Sequence, residues 1–407
     1  MLAGFPACSA ETVFDGSFAT GVESWLSDGI AGRTFMVNTA ANAEALFAIP
    51  QDADTLAKQA MEALEAEAAT ATPDGAVYET AAPSETPAID DGAETDAAGA
   101  IQETTFWIAR TDGSVDHVYT FSVANVQNAI HIFNSFRALL PEDGHVIFSE
   151  VPIAQTGIGY QTHRETNVAW GSDVEAQLQA HADDGVLIVN GCDVLLEHLE
   201  QNEYVYFRTD HHWTPLGAYY VYAAMMQAQN VSPMAYEDYD YTVHSSFIGS
   251  AGNTQSADSL RAKADTLEVI APISPVHSYL LTRLVNRQEI DYMFPARNSY
   301  TAYLGGTRGP WRLFETGFQT GRTALLIGDS FSNALLPFLL PHYDRVLMVD
   351  LRPTYYDATE AGAGIKQYIE AYGVDDVYIM VCFATSINSN FFTNGTIVAH
   401  MDEEAAG

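Results

Sequence analysis

The sequence predicts an α/β fold built on a parallel sheet with helices on both faces. Three observations carry this reading. Near the C-terminus, apolar runs at 323–327, 345–349 and 377–381 alternate with helix-type stretches at 333–340 and around Ile365, Tyr368, Ile369 and Tyr372. Upstream, Val126, Ile130, Phe133, Phe136 and Leu140 recur at helical spacing just before the apolar run 145–151. The runs 186–189 and 204–207 are further strand candidates. Strands that are apolar throughout need cover on both faces, and strand–helix–strand units supply it through right-handed crossovers.

From the start of the chain, residues 1–67 form an N-terminal helical segment, densest over 55–67 in the strong helix formers Ala, Leu, Met and Glu. Residues 68–104 change to Ala, Thr, Pro, Asp and Glu without apolar periodicity. Such a stretch buries too little surface to offset its ordering entropy, so a flexible insertion is expected. The α/β domain is expected over 105–407, with the turn-rich stretch 233–322 as a lid-like excursion.

A chain of 407 residues with 47% hydrophobic content can bury a sizeable core. Its 17 basic and 53 acidic residues leave a net charge of −36, and lysine occurs only at 58, 263 and 366. No basic strip exists to release counterions from nucleic acid, so nucleic acid is excluded as a partner. Cys8, Cys192 and Cys382 lack CxxC spacing and point neither to a zinc site nor to a disulfide framework. No apolar run reaches membrane-span length and no leader pattern opens the chain. The chain is therefore expected either to be cytosolic or to have lost a leader or anchor.

Gly328-Asp329-Ser330 stands between an apolar run and a helix. Open α/β sheets bind ligands outside the carboxyl ends of their strands, and a helix N-terminus there aims N–H groups at developing negative charge. Ser332 is expected to cap that helix. Asp and Ser also suit ordinary strand-to-helix turns, so the tripeptide alone leaves both readings open.

Asp210-His211-His212-Trp213 lies between the run 204–207 and a helix opened by Thr214 and Pro215. A serine hydroxyl is a poor nucleophile until an imidazole takes its proton, and that imidazole needs a carboxylate to fix its tautomer. An Asp two residues before a His reaches it within one loop, which makes His212 the base and Asp210 its orienter. His211 is the alternate base and a candidate substrate contact. A metal site on Asp210 and the two histidines competes, without a third ligand at helical spacing or HExxH to support it. So does a structural polar loop. Trp213 is either a core wall or a platform for a sugar.

Together these segments resemble the DHHW family, relatives of the SGNH hydrolases and the alginate O-acetyltransferases. The tetrad is intact at 210–213, and Asp329, Ser330, Asn333, Pro337, His342, Tyr343, Asp350, Leu351 and Arg352 match the family's DSYAN…PFL…HY…DLR run. Residues 5–33 are similar to its juxtamembrane region, and the resemblance spans most of the chain apart from 68–104. It implies a three-layer SGNH-hydrolase-like sheet with permuted catalytic blocks, Asp210 and His212 preceding Ser330. Spatial geometry defines a triad, so chain order is no obstacle.

The resemblance further implies serine-dependent O-acyl chemistry, esterase or transferase, with acetyl as the acyl group and a cell-envelope polysaccharide as partner. It implies no cofactor or metal, a membrane-bound acyl-donor protein, and a place outside the cytoplasmic membrane behind an N-terminal anchor. At 303–307 the family's FLGGN reads Tyr303-Leu304-Gly305-Gly306-Thr307, with Thr in place of an amide. The oxyanion candidates are then the backbone N–H groups of Ser330 and Gly306 and the side chain of Asn333. Arg352 either binds substrate or pairs with Asp350. The rival class is a non-catalytic glycan-binding or polysaccharide-assembly protein, since 21 Tyr, 20 Phe and 5 Trp stack on sugars as readily as they fill a core.

Overall fold

The computed structural model describes residues 100–109, 115–154, 156–158, 172–253, 257–271, 273–306, 311–351 and 364–382. The segments 1–67 and 68–99, and with them Cys8, lie outside the described residues, as do Thr307 and Arg352.

Strands β1 (Thr104–Ala109) and β2 (Val115–Phe121) pair antiparallel as a separate ribbon. Helix α1 (Val123–Arg137) begins at Ser122, whose hydroxyl accepts the Asn125 N–H at 3.2 Å, and it buries the predicted face of Val126, Ile130, Phe133 and Phe136. There follow β3 (His145–Val151), α2 (Ser172–His181), β4 (Val186–Ile188), α3 (Gly191–Glu200) and α4 (Pro215–Ala228). Then come β5 (Tyr241–Phe247), β6 (Asp265–Ile270), β7 (His277–Thr282), β8 (Asn286–Glu289) and β9 (Trp311–Glu315). The series ends with β10 (Thr323–Gly328), α5 (Ser332–Leu339), β11 (Arg345–Val349), α6 (Ile365–Tyr372) and β12 (Asp376–Cys382).

Eight strands form the central sheet in the order β4-β3-β12-β10-β11-β9-β7-β8. From β4 to β11 every pairing is parallel, the core expected of the α/β class. Beyond β11 the sheet continues antiparallel through β9, β7 and β8. Those three strands belong to the stretch 233–322, which also supplies the separate β5–β6 ribbon.

Period-two alternation divides the strand residues between two cores. Phe148, Leu325, Ile327, Leu347, Val377 and Ile379 pack on one face with α1, α2 and α6. Ile147, Ala324, Leu326, Val346, Tyr378 and Met380 pack on the other with α4 and α5. With both faces covered the strands must be apolar throughout, as their sequence is; each fully buried Leu, Ile or Phe contributes roughly 1.5–3 kcal/mol. Among the described residues no helix is long and apolar enough to cross a membrane.

Two local expectations are corrected. The run 204–207 is no ladder strand: it touches its own return limb through the single bridge Tyr206–Trp213. Thr214 N–H donates to Val205 O at 2.9 Å, so the segment closes on itself as a tight loop. Ser332 does not cap α5. It is the first helical residue, and its hydroxyl donates across to Met380 O of β12 at 2.9 Å.

Candidate active site

Ser330 follows the carboxyl end of β10, in the middle of the sheet. Gly328 is required there, because a Cβ at that position would overlap Ser332 Oγ and the Met380 carbonyl. Asp329 is buried and builds the turn: its Oδ1 accepts the Phe331 N–H at 2.9 Å and its Oδ2 accepts the Cys382 N–H at 2.8 Å. The turn is thereby tied to the neighbouring strand β12, and Ser330 is held half-buried at the N-terminal end of α5.

The loop 204–214 brings the second block. Thr214 caps α4 by accepting the Gly217 N–H at 3.3 Å, with Pro215 at the first helical position, as its sequence predicts. The loop is anchored from β6 by Asp265, which is fully buried. Its carboxylate accepts the backbone N–H groups of Arg208 (2.9 Å) and Thr209 (2.7 Å) and the hydroxyls of Thr209 and Tyr204. Burial opposes ionisation of Asp265, but these donors outweigh it and lower its pKa.

His212 Nε2 lies 2.8 Å from Ser330 Oγ, and His212 Nδ1 lies 2.6 Å from Asp210 Oδ1. Asp210 also accepts the His212 backbone N–H at 3.0 Å and the Ser250 N–H at 2.7 Å. Burial opposes the charge on Asp210, yet hydrogen bonds and attraction from His212 bring its pKa down to about 2. An ionised Asp210 accepts from Nδ1–H, which leaves the Nε2 lone pair facing the serine hydroxyl. Gly249 permits this approach, since a Cβ there would overlap the Asp210 carboxylate.

Face contacts complete the ring's surroundings. Tyr300 stacks on His212 with centroids 3.8 Å apart and planes at 7°, and its hydroxyl donates to Ser330 O at 3.1 Å. Phe331 leans on the same imidazole at 4.8 Å. Nothing local in the sequence marks Tyr300, Gly249, Ser250 or Asp265, because each acts on a loop tens of residues away.

The remaining sequence candidates separate. His211 stays 40% exposed, with Nδ1 3.0 Å from Ser250 Oγ and 3.6 Å from Asp210 Oδ1; it does not face Ser330 as His212 does. Trp213 is completely buried and donates to Phe331 O at 3.1 Å, which makes it a wall joining the two blocks and leaves no ring face for a sugar. The Gly306 N–H donates to Tyr303 O at 3.1 Å, so it is spent as an oxyanion donor; the Gly306 carbonyl accepts from Arg312 at 2.6 Å. The Ser330 N–H has no acceptor among the described residues, and Asn333 is buried with an Oδ1 that lacks a partner. His342 and Tyr343 are structural: they bond Tyr222 at 2.7 Å and Asp376 at 2.9 Å.

Asp210, His211 and His212 also bring donor atoms within 4.8 Å of one another, close enough to hold a cation. His212 Nδ1 and Asp210 Oδ1 already satisfy each other, while His212 Nε2 faces the Ser330 hydroxyl and His211 Nδ1 the Ser250 hydroxyl. The arrangement suits proton transfer from Ser330 better than metal ligation.

The fold recurs in solved structures. A DHHW family protein from Eubacterium siraeum is 23% identical over 71% of this chain and 95% of its own, with a TM-score of 0.56. PatB1 from Bacillus cereus is 18% identical over 72% of this chain and 94% of its own, with a TM-score of 0.50. These likenesses show that the α/β fold is shared with those proteins. A comparison with curated proteins finds no match. The family model for DHHW proteins matches residues 91–349, a span that holds both the 210–213 tetrad and the Ser330 turn. The chain belongs to the DHHW protein family.

Proposed function

We propose that this protein is a serine-dependent O-acyltransferase or esterase whose acyl group is acetyl and whose partner is a cell-envelope polysaccharide. The observation that carries the reading is the continuous contact from Ser330 Oγ through His212 to Asp210, 2.8 and 2.6 Å. Ser330 Oγ attacks the acyl carbonyl carbon while its proton passes to His212 Nε2. The Ser330 N–H, at the N-terminal end of α5, faces the developing oxyanion, with the Asn333 side chain as second candidate. His212 then returns the proton to the leaving alkoxide and an acyl-enzyme remains. Attack by a sugar hydroxyl, deprotonated by His212, forms a new ester and attack by water the free acid; in both the Ser330–acyl bond breaks and His212 returns the proton to Ser330 Oγ. A membrane-bound acyl-donor protein as source of the acyl group, and a site of action outside the cytoplasmic membrane, belong to the same proposal.

PatB1 carries a sulfonyl adduct in one of its structures. Sulfonyl fluorides form such adducts with activated hydroxyls, which supports using that reagent class here. The test is turnover of p-nitrophenyl acetate and of an acetylated glycan, alongside sulfonyl fluoride labelling. Ser330→Ala and His212→Ala are each expected to lose activity by about 10³-fold or more, and Ser330→Ala to lose labelling. Wild-type rates in both variants would overturn the reading.

A further inference from the structure

Two in-plane hydrogen bonds fix where the His212 nitrogens point, but they do not stop the ring from tilting about the line that joins them. A face contact does. Tyr300 provides it at 3.8 Å and 7°, and the same residue reaches the nucleophile's own peptide through its hydroxyl at 3.1 Å from Ser330 O. Tyr300 is itself well held. It opens a short 3-10 turn in which the Ala302 N–H donates to Ser299 O at 2.8 Å, and the Phe294 N–H donates to Ala302 O at 2.9 Å. Phe207 at 6.4 Å and Tyr303 at 5.6 Å brace the ring. It comes from a third part of the chain, independent of both the serine turn and the histidine loop.

We propose that Tyr300 is the positioning residue of this site, its ring holding the His212 imidazole flat and its hydroxyl holding the Ser330 peptide. Tyr300 thereby touches both ends of the path over which the proton moves, while Asp210, Phe331 and the His211 ring at 3.8 Å hold the imidazole from its other sides. When His212 takes that proton, the imidazolium lies against the face of an electron-rich ring, which attracts the positive charge. This inference rests on the acyl-transfer reading of Ser330 and His212.

The experiment is steady-state kinetics on p-nitrophenyl acetate with wild type, Tyr300→Leu, Tyr300→Phe and Ser330→Ala, each checked by thermal melting. Misplacing reacting groups by about 1 Å costs on the order of 100-fold, so Tyr300→Leu is expected to lower kcat by about 30–100-fold with KM within about twofold. Tyr300→Phe keeps the stack and loses only the hydroxyl anchor, so kcat is expected about 3–10-fold below wild type. A Leu variant that melts normally and turns over at the wild-type kcat overturns the inference, as does a loss that falls on KM alone. Should the Leu variant fail to fold, a Phe variant with unchanged kcat overturns it. An inactive Ser330→Ala beside a fully active Tyr300→Leu removes only the role of Tyr300. An active Ser330→Ala removes the acyl-transfer reading and this inference with it.

Discussion

At the scale of single residues, Asp210 carries the most chemistry for its size. Its pKa of about 2 lies below the ordinary carboxylate value of 3.8 because the His212 and backbone donors outweigh burial. A folded-state pKa below the unfolded one stabilises the fold fully above the unfolded value, and that stabilisation is lost as pH falls toward 2. A shift of this size is worth about 2 kcal/mol. Asp210→Asn is therefore expected to flatten the pH dependence of denaturant unfolding between about pH 4 and pH 2, and to lower kcat by about 10³–10⁴-fold at neutral pH through the wrong imidazole tautomer. An unchanged kcat would remove Asp210 from its role. The Asp210–His212 pairing was legible in the sequence because it spans two residues of one loop. Gly306, by contrast, is an oxyanion candidate by its place in the sequence alone, because in the fold its N–H donates to Tyr303 O.

At the scale of elements, the β10–α5 junction decides where Ser330, the proposed nucleophile, stands. Gly328 is packed against Ser332 Oγ and Met380 O, with no room for a Cβ. Gly328→Ala must push α5 from β12, so a stability loss of roughly 1–3 kcal/mol is expected, with a fall in kcat as Ser330 moves from His212. Thermal melting and p-nitrophenyl acetate turnover measure both, and a variant equal to wild type in both would refute the packing argument. The junction was readable as a strand–Gly–helix pattern. Its wiring was not: Ser332 bonds Met380, and Asp329 bonds Cys382, partners about fifty residues on. The misread run 204–207 has a similar cause, for Tyr, Val and Phe favour a pleated environment whether a ladder or a loop's return limb supplies it.

At the scale of the whole molecule, a net charge of −36 leaves few cations to balance the acids. Arg322 is one that does, bridging Asp143 at 2.8 Å and the buried Asp376 at 2.9 Å below the strand starts. Like-charge repulsion weakens the compact state, and raising salt from about 10 mM to about 1 M shortens the Debye length from about 30 to about 3 Å. The melting temperature is expected to rise over that range; a flat or falling curve in NaCl would show that repulsion is not limiting. What the amino-acid order determined by itself was the α/β class, the strands and helices of the C-terminal half, the family resemblance and the pairing of Asp210 with His212. All of these rest on periodicity, caps or neighbours within one segment. Only the tertiary structure decided the antiparallel extension of the sheet, the burial of Trp213, the loop anchor at Asp265 and the stacking of Tyr300 on His212. Those depend on which distant segments the packed cores bring together, and contact between residues tens of positions apart leaves no local pattern in a single chain.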